Sequence, residues 1–128
     1  MTGWRIGYIA APREMTAMAN KIHQYTILCA PIMGQFAAIE ALNHGNSEVF
    51  EMKREYLRRR NFLVSELNET GLSTFMPQGA FYTYTDVSIS RMNSIDFAKR
   101  LLMEKKVAVV PGTAFSSQGE KYIRISYA

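Results

Sequence analysis

Two arginines in this chain of 128 residues stand where a charge is out of keeping with its neighbours. Arg5 lies in Met1-Thr-Gly-Trp-Arg-Ile-Gly-Tyr8, at the head of the apolar run Ile6 to Ala11. Arg124 lies in Tyr122-Ile-Arg-Ile-Ser-Tyr-Ala128, alternating with Ile123 and Ile125. A buried cation without an anion costs several kcal/mol, so each needs a partner or an outlet to solvent. A planar guanidinium presents paired N–H donors that match a carboxylate or a phosphate. For Arg5 the choices are a structural salt bridge and a fixed site for phosphate. For Arg124 they are an ordinary half-exposed strand residue and an arginine turned into a cleft to grip a carboxylate at two points. Residue type and position leave both pairs open.

The other reactive side chains form no recognisable constellation. No pair of carboxylates stands at a telling spacing, and Ser116 and Ser117 have no histidine nearby in sequence. The single cysteine, Cys29, allows no internal disulfide, and nothing around it and His23 suggests an activated thiolate; a buried, inert cysteine is expected. His23 and His44 are too isolated to suggest a metal site. With 15 basic and 11 acidic residues the net charge is only +4, and no nucleic-acid partner is expected. Apart from the run Arg58-Arg59-Arg60 the basic residues are scattered, and the charged positions Lys53, Arg54, Arg58, Arg59 and Glu66 read as the solvated face of a helix. No apolar stretch is long enough to cross a bilayer, and no signal core follows the N-terminus. A soluble, cytoplasmic protein without membrane contact is the expectation.

The elements that must position these residues follow from periodicity. Residues 4 to 11 read as a strand buried on both faces, because the run is almost continuously apolar. Pro12 opens a helix with a stripe of Met15, Met18, Ala19 and Ile22 expected to be buried. A break spans Tyr25 to Pro31. An alanine-rich helix follows to about Asn43, stopped by His44-Gly45. Asn46 or Ser47 caps a long third helix that ends at Thr70-Gly71, with Val49, Met52, Tyr56, Leu63 and Leu67 as its apolar positions. The character then changes. Strands are expected at Leu72–Met76, Ala80–Val87, Val107–Val110 and Tyr122–Tyr127. A fourth helix, capped by Asn93 or Ser94, fills Ile95–Lys105. On the last strand Tyr122, Arg124 and Ser126 share one face, and Ile123, Ile125 and Tyr127 the other.

Taken together, several stretches resemble the pyridoxal-phosphate aminotransferases of fold type I, the aspartate and aromatic aminotransferase class. They are Met1-Thr-Gly-Trp-Arg-Ile-Gly-Tyr8, Gln35 to Leu42, Pro77-Gln-Gly-Ala-Phe-Tyr82, and Val107-Ala-Val-Val-Pro-Gly-Thr-Ala-Phe115 continuing to Arg124-Ile-Ser-Tyr-Ala128. They occur in the family's order and take in essentially the whole chain.

The resemblance implies an α/β fold with an α+β small domain: the C-terminal segment of such an enzyme. Residues 1–45 would end the large, cofactor-binding domain. Residues 46–128 would be the connecting helix and the small domain, a sheet packed with helices, without the family's closing helix. It implies that Arg5 holds the phosphate of pyridoxal phosphate and that Arg124 grips the substrate α-carboxylate. Phe81 and Tyr82 would edge the substrate cleft, and Tyr25 and Thr26 would reach the neighbouring subunit of a homodimer. The substrates would be an amino acid and a 2-oxo acid, and no metal is implied. The lysine that carries the cofactor in such enzymes lies before the Met-Thr-Gly-Trp-Arg motif. Lys21, Lys53, Lys99, Lys105, Lys106 and Lys121 all lie after it. These residues alone are therefore expected neither to transaminate nor to retain the cofactor. Ser116 also departs from the glycine that many relatives have after the phenylalanine. Lyase or decarboxylase chemistry on the same scaffold, and a non-catalytic α+β interaction module, are the alternatives.

Overall fold

A computed structural model describes all residues, 1–128. The chain divides into two compact units, Met1–Phe50 and Glu51–Ala128.

The first unit is helical. A short 3-10 turn, Thr2–Trp4, is followed by α1 (Arg13–Thr26), α2 (Ile32–His44) and the start of α3 (Asn46–Glu69). Pro12 and Pro31 sit just outside α1 and α2 as their N-caps. Their fixed φ suits a helix entrance, and their missing N–H costs nothing there. The strand expected over residues 4–11 is not formed. Residues 6 to 11 have no regular structure, and none of their backbone N–H groups donates to a backbone carbonyl. A strand exists only by pairing, and the chain's one sheet lies wholly in the other unit. The expected stripe on α1 is also not buried: Met15, Met18 and Ile22 are 64%, 61% and 69% exposed, and Ala19 is half-buried. Close approach by small residues does occur on α2. Gly34 is buried, and a Cβ built there would lie 3.4 Å from Ile6 Cδ1.

The second unit is α+β. β1 (Tyr82–Asp86), β2 (Val110–Pro111) and β3 (Tyr122–Ser126) form an antiparallel sheet in the order β1-β3-β2, with α4 (Ser94–Lys105) packed against β2 and β3. The register pairs Tyr84 with Arg124 and Thr85 with Ile123 on one side of β3, and Val110 with Arg124 on the other. Two expected strands are much reduced. Leu72–Met76 contributes a single bridge, Thr74 to Thr85, and Val107–Val110 pairs only at its end.

The core comprises Val64, Val87, Ala98, Ile123 and Tyr127, together with buried Thr74, Thr83, Thr85 and Ser94. Threonine therefore carries the inner face of β1. Its hydroxyls are bonded locally: Thr83 Oγ1 donates to the Phe75 carbonyl at 3.1 Å, and the Thr74 and Thr85 hydroxyls meet at 3.1 Å. The second half of α3 is tied to this unit by polar clamps. The Asn68 side chain accepts from Thr74 N (3.0 Å) and donates to Thr74 O (3.2 Å), and Arg60 Nη1 donates to Pro77 O at 3.0 Å. Gly71, at φ +85°, stops α3 in the left-handed conformation that glycine takes most readily. The Arg58-Arg59 face is solvated as expected. Both guanidiniums bind Glu55 at 2.8 Å, and their hydrogen bonds, that of Arg58 first, hold its carboxyl down to about 2.

Asn93 caps α4 as expected. Its side-chain oxygen accepts from Asp96 N at 2.9 Å, and its amide donates to the Asp96 carboxylate at 2.8 Å.

Candidate functional site

β3 delivers Arg124 to the outer face of the sheet. Strand alternation buries Ile123 and Tyr127 on the inner face and leaves Arg124 half-buried on the other, the face division expected from the sequence. On that outer face Arg124 meets aromatic rings. Its Cζ lies 4.2 Å from the centre of the Tyr82 ring and 4.5 Å from that of Phe115. The rings continue on either side. Phe81 packs on Tyr82 at 4.4 Å and on Tyr56 at 6.1 Å, while Tyr84 packs on Phe115 at 6.0 Å and on Tyr122 at 6.4 Å. Tyr82 and Phe115 do not pack on each other, so the guanidinium touches two separate aromatic groups.

What Arg124 lacks is as informative. It forms no salt bridge, and its guanidinium donates no hydrogen bond within the chain. Every charge-paired arginine here sits on a helix beside a glutamate three or four residues away. Arg124 instead lies over the π-clouds of two rings, which attract a cation, and its N–H donors have no partner within the chain. That arrangement suits a ligand carboxylate that accepts two parallel hydrogen bonds.

The loop that presents Phe115 is held by its own backbone. A 3-10 turn, Gly112–Ala114, and another, Ser117–Lys121, bring Gly112 and Gly119 into contact. A Cβ on Gly112 would lie 2.7 Å from the Tyr122 carbonyl and closer still to that of Gly119; a Cβ on Gly119 would collide with the Gly112 carbonyl. Only glycine fits at either point. Phe115 N and Ser116 N both donate to the Gly112 carbonyl, at 3.0 and 3.3 Å. At the other edge, Tyr127 N donates to Phe81 O and the Tyr127 hydroxyl donates to Ala80 O, each at 3.0 Å. These bonds hold the Pro77–Tyr82 segment to β3.

Arg5 has different surroundings. It closes the Thr2–Trp4 turn in the left-handed region (φ 53°), its N–H bonded to Thr2 O at 3.3 Å and its Nη1 to the same carbonyl at 3.2 Å. It is exposed and in no salt bridge, so its remaining donors are free. An open cavity of about 580 Å³ is lined by Met1, Thr2, Arg5, Ile6 and Gly7. A non-glycine residue at positive φ is locally costly, by about 1–3 kcal/mol.

Of the other residues singled out in the sequence, Tyr25 is 94% exposed near the end of α1, and Thr26 bonds back to Ile22 O at 2.7 Å. Cys29 is exposed, not buried as expected. It lies in the connection between α1 and α2 and lines a cavity of about 830 Å³ with Ile6, Leu28, Ile39 and Leu42. The structure brings Arg124, Phe81 and Tyr82 together in one unit and places Arg5, Tyr25 and Thr26 in the other. Phe115 was not singled out as a site residue from the sequence. The signal was present in Pro111-Gly-Thr-Ala-Phe115, a tight turn ending in a large apolar residue, 50% exposed in the structure. No helix is long and apolar enough to cross a membrane.

Comparison with known proteins covers the chain from end to end. Residues 1–128 match the family described as aminotransferase class I and II. The Bacillus subtilis protein YugH is 52% identical over 128 residues, which are all of this chain and 33% of that one. An aspartate aminotransferase of Pyrococcus abyssi is 45% identical over 130 residues, again the whole of this chain and 33% of the relative. The crystal structure of an aromatic aminotransferase from Pyrococcus horikoshii superposes with a TM-score of 0.87 at 43% identity, covering 99% of this chain and 35% of that one. The chain thus spans about a third of the length of the relatives it matches.

Proposed function

The chain belongs to the class I and II aminotransferase family, and we propose that it is the C-terminal third of a pyridoxal-phosphate enzyme that moves an amino group between an amino acid and a 2-oxo acid. In this reading residues 1–45 close the large domain, and residues 46–128 are the connecting helix and small domain. The observation that carries it is Arg124: half-buried, stacked against Tyr82 and Phe115, and without an anion of its own. A guanidinium so placed is provided for a ligand carboxylate.

The residues of this chain fit the cofactor they would hold. Arg5 has free donors over an open cavity, and Gly3 and Gly7 leave space where a Cβ would meet nothing within 4 Å. Arg5 would bind the cofactor phosphate. When bound, pyridoxal phosphate supplies the electron sink that lets the α-proton leave. Arg124 would orient the amino acid by its carboxylate, and Phe81 and Tyr82 would shape the substrate side of the cleft. The exposed Tyr25 and Thr26, at the end of α1, would meet the second subunit of a homodimer. The single cysteine fits a reducing, cytoplasmic setting. The chain by itself is inactive and does not retain the cofactor, because no lysine in it occupies the position that carries cofactor.

The test is amino transfer by the intact enzyme with Arg124→Leu. Losing a two-point charged grip of about 1.5–3 kcal/mol should raise KM for the amino acid by roughly ten- to a hundredfold. An unchanged KM removes Arg124 from substrate binding. Transfer catalysed by residues 1–128 alone, given cofactor and an amino donor, overturns the assignment of inactivity.

A further inference from the structure

Most of what an arginine needs to bind a carboxylate is intrinsic to the guanidinium; what the protein adds is direction. Arg124 is not aimed by hydrogen bonds, since its side chain makes none within the chain, nor by a carboxylate. The contacts that remain to fix its plane are the rings of Tyr82 at 4.2 Å and Phe115 at 4.5 Å. Each ring packs on a further ring, Tyr82 on Phe81 and Phe115 on Tyr84. Phe115 is further held by hydrogen bonds from its own N–H and that of Ser116 to Gly112 O, and by the backbone contact between Gly112 and Gly119.

We propose that Phe115 is a positioning residue, which with Tyr82 covers the faces of the Arg124 guanidinium so that an anion can reach it only along its N–H edge. This rests on the reading of Arg124 as the carboxylate-binding residue. Its consequence is selectivity. An edge-on fork matches the two coplanar oxygens of a carboxylate better than a tetrahedral phosphate, whose third and fourth oxygens would lie out of the plane and against the rings. Arg5, with no ring stacked on it, carries no such restriction. The same side-chain type would therefore serve two anions through different surroundings.

The experiment follows the Arg124 Nε–H resonance in the 128-residue chain by NMR. Pyruvate and inorganic phosphate are titrated separately at matched ionic strength. Rings stacked on a guanidinium shift that resonance upfield, and Phe115→Leu should return it toward the position of a free arginine. The same variant should weaken pyruvate binding roughly three- to thirtyfold, the range such cation–π contacts span, while Phe115→Tyr restores both. The amide resonances of Ile123 and Thr85, in the sheet, report whether each variant keeps its fold. Tyr82→Leu provides an independent variant on the other ring. A Phe115→Leu resonance and pyruvate affinity that match the parent overturn the proposal, as does phosphate binding equal to pyruvate. Failure here is separable from failure of the functional reading. An intact enzyme whose KM depends on Arg124 but not on Phe115 sinks only the positioning role. Pyruvate binding that depends on Phe115 in a protein without transaminase activity sinks only the enzyme assignment.

Discussion

Met1–Phe50 and Glu51–Ala128 are both rich in apolar residues, but only the second buries them. Val64, Val87, Ala98, Ile123 and Tyr127 form a core in the second unit. In the first, Met15, Met18 and Ile22 of α1 face solvent, and the buried residue on α2 is a glycine. Helices form in both, since capping and periodicity are local. What differs is the presence of a covering layer. Helix formation thus reports the local sequence, while burial reports which neighbours are there to pack against.

The sharpest way to break this comparison is to truncate one isoleucine in each unit. Ile123→Ala removes a side chain 2% exposed at the centre of the sheet and should cost about 2–5 kcal/mol in chemical denaturation. Ile22→Ala removes one 69% exposed and should change stability by less than about 0.5 kcal/mol. Trp4, the chain's only tryptophan, reports the first unit, and the amide signals of β3 report the second. Equal costs for the two substitutions would mean that the solvent-facing stripe of α1 is covered after all.

A smaller effect should come from the cap of α4. Asn93→Ala frees Asp96 N and should cost the second unit about 1 kcal/mol. The Trp4 signal should be unmoved; a shift in it would mean that the two units unfold as one. The smallest effect concerns acid. Asp86 lies at the end of β1, and its carboxyl is held below the usual range, first by the Ser88 side chain and the Ser88 N–H bond, then by Lys121. A lowered folded value means that its stabilisation is complete above the ordinary carboxylate pKa of about 3.9 and is lost as pH falls through the folded value. Asp86→Asn should flatten the acid limb of stability for the second unit below about pH 4. An acid limb identical in the variant would assign the sensitivity elsewhere.

The elements legible in the sequence were those with local causes. α4 was readable from Asn93, Asp96 and Lys105, and the stop of α3 from Gly71, because caps and left-handed glycines act within one turn. Asn46 and Ser47, expected as alternative caps of α3, both lie inside that helix, whose first backbone bond runs to Gly45 O. The face of β3 was readable because alternation is a property of the strand itself. The strand at residues 4–11 was not readable correctly. A continuous apolar run states that the segment should be buried, but pairing depends on another strand, and a β-strand has no local substitute for one. The site divides in the same way. Arg124 stood out as a charge among isoleucines. Phe115 could not be joined to it from the sequence, because the contact depends on how the loop closes through the touching backbones of Gly112 and Gly119, which no local periodicity signals.

That closed loop also sets terms for redesign. Because the backbones of Gly112 and Gly119 touch, the segment between them is pinched off at its base, like a bead on a knotted thread. A library that varies Ser116, Ser117 and Gln118 while both glycines stay fixed should leave the register of β2 and β3 intact. Diversity introduced at either glycine would instead be spent on unfolded clones.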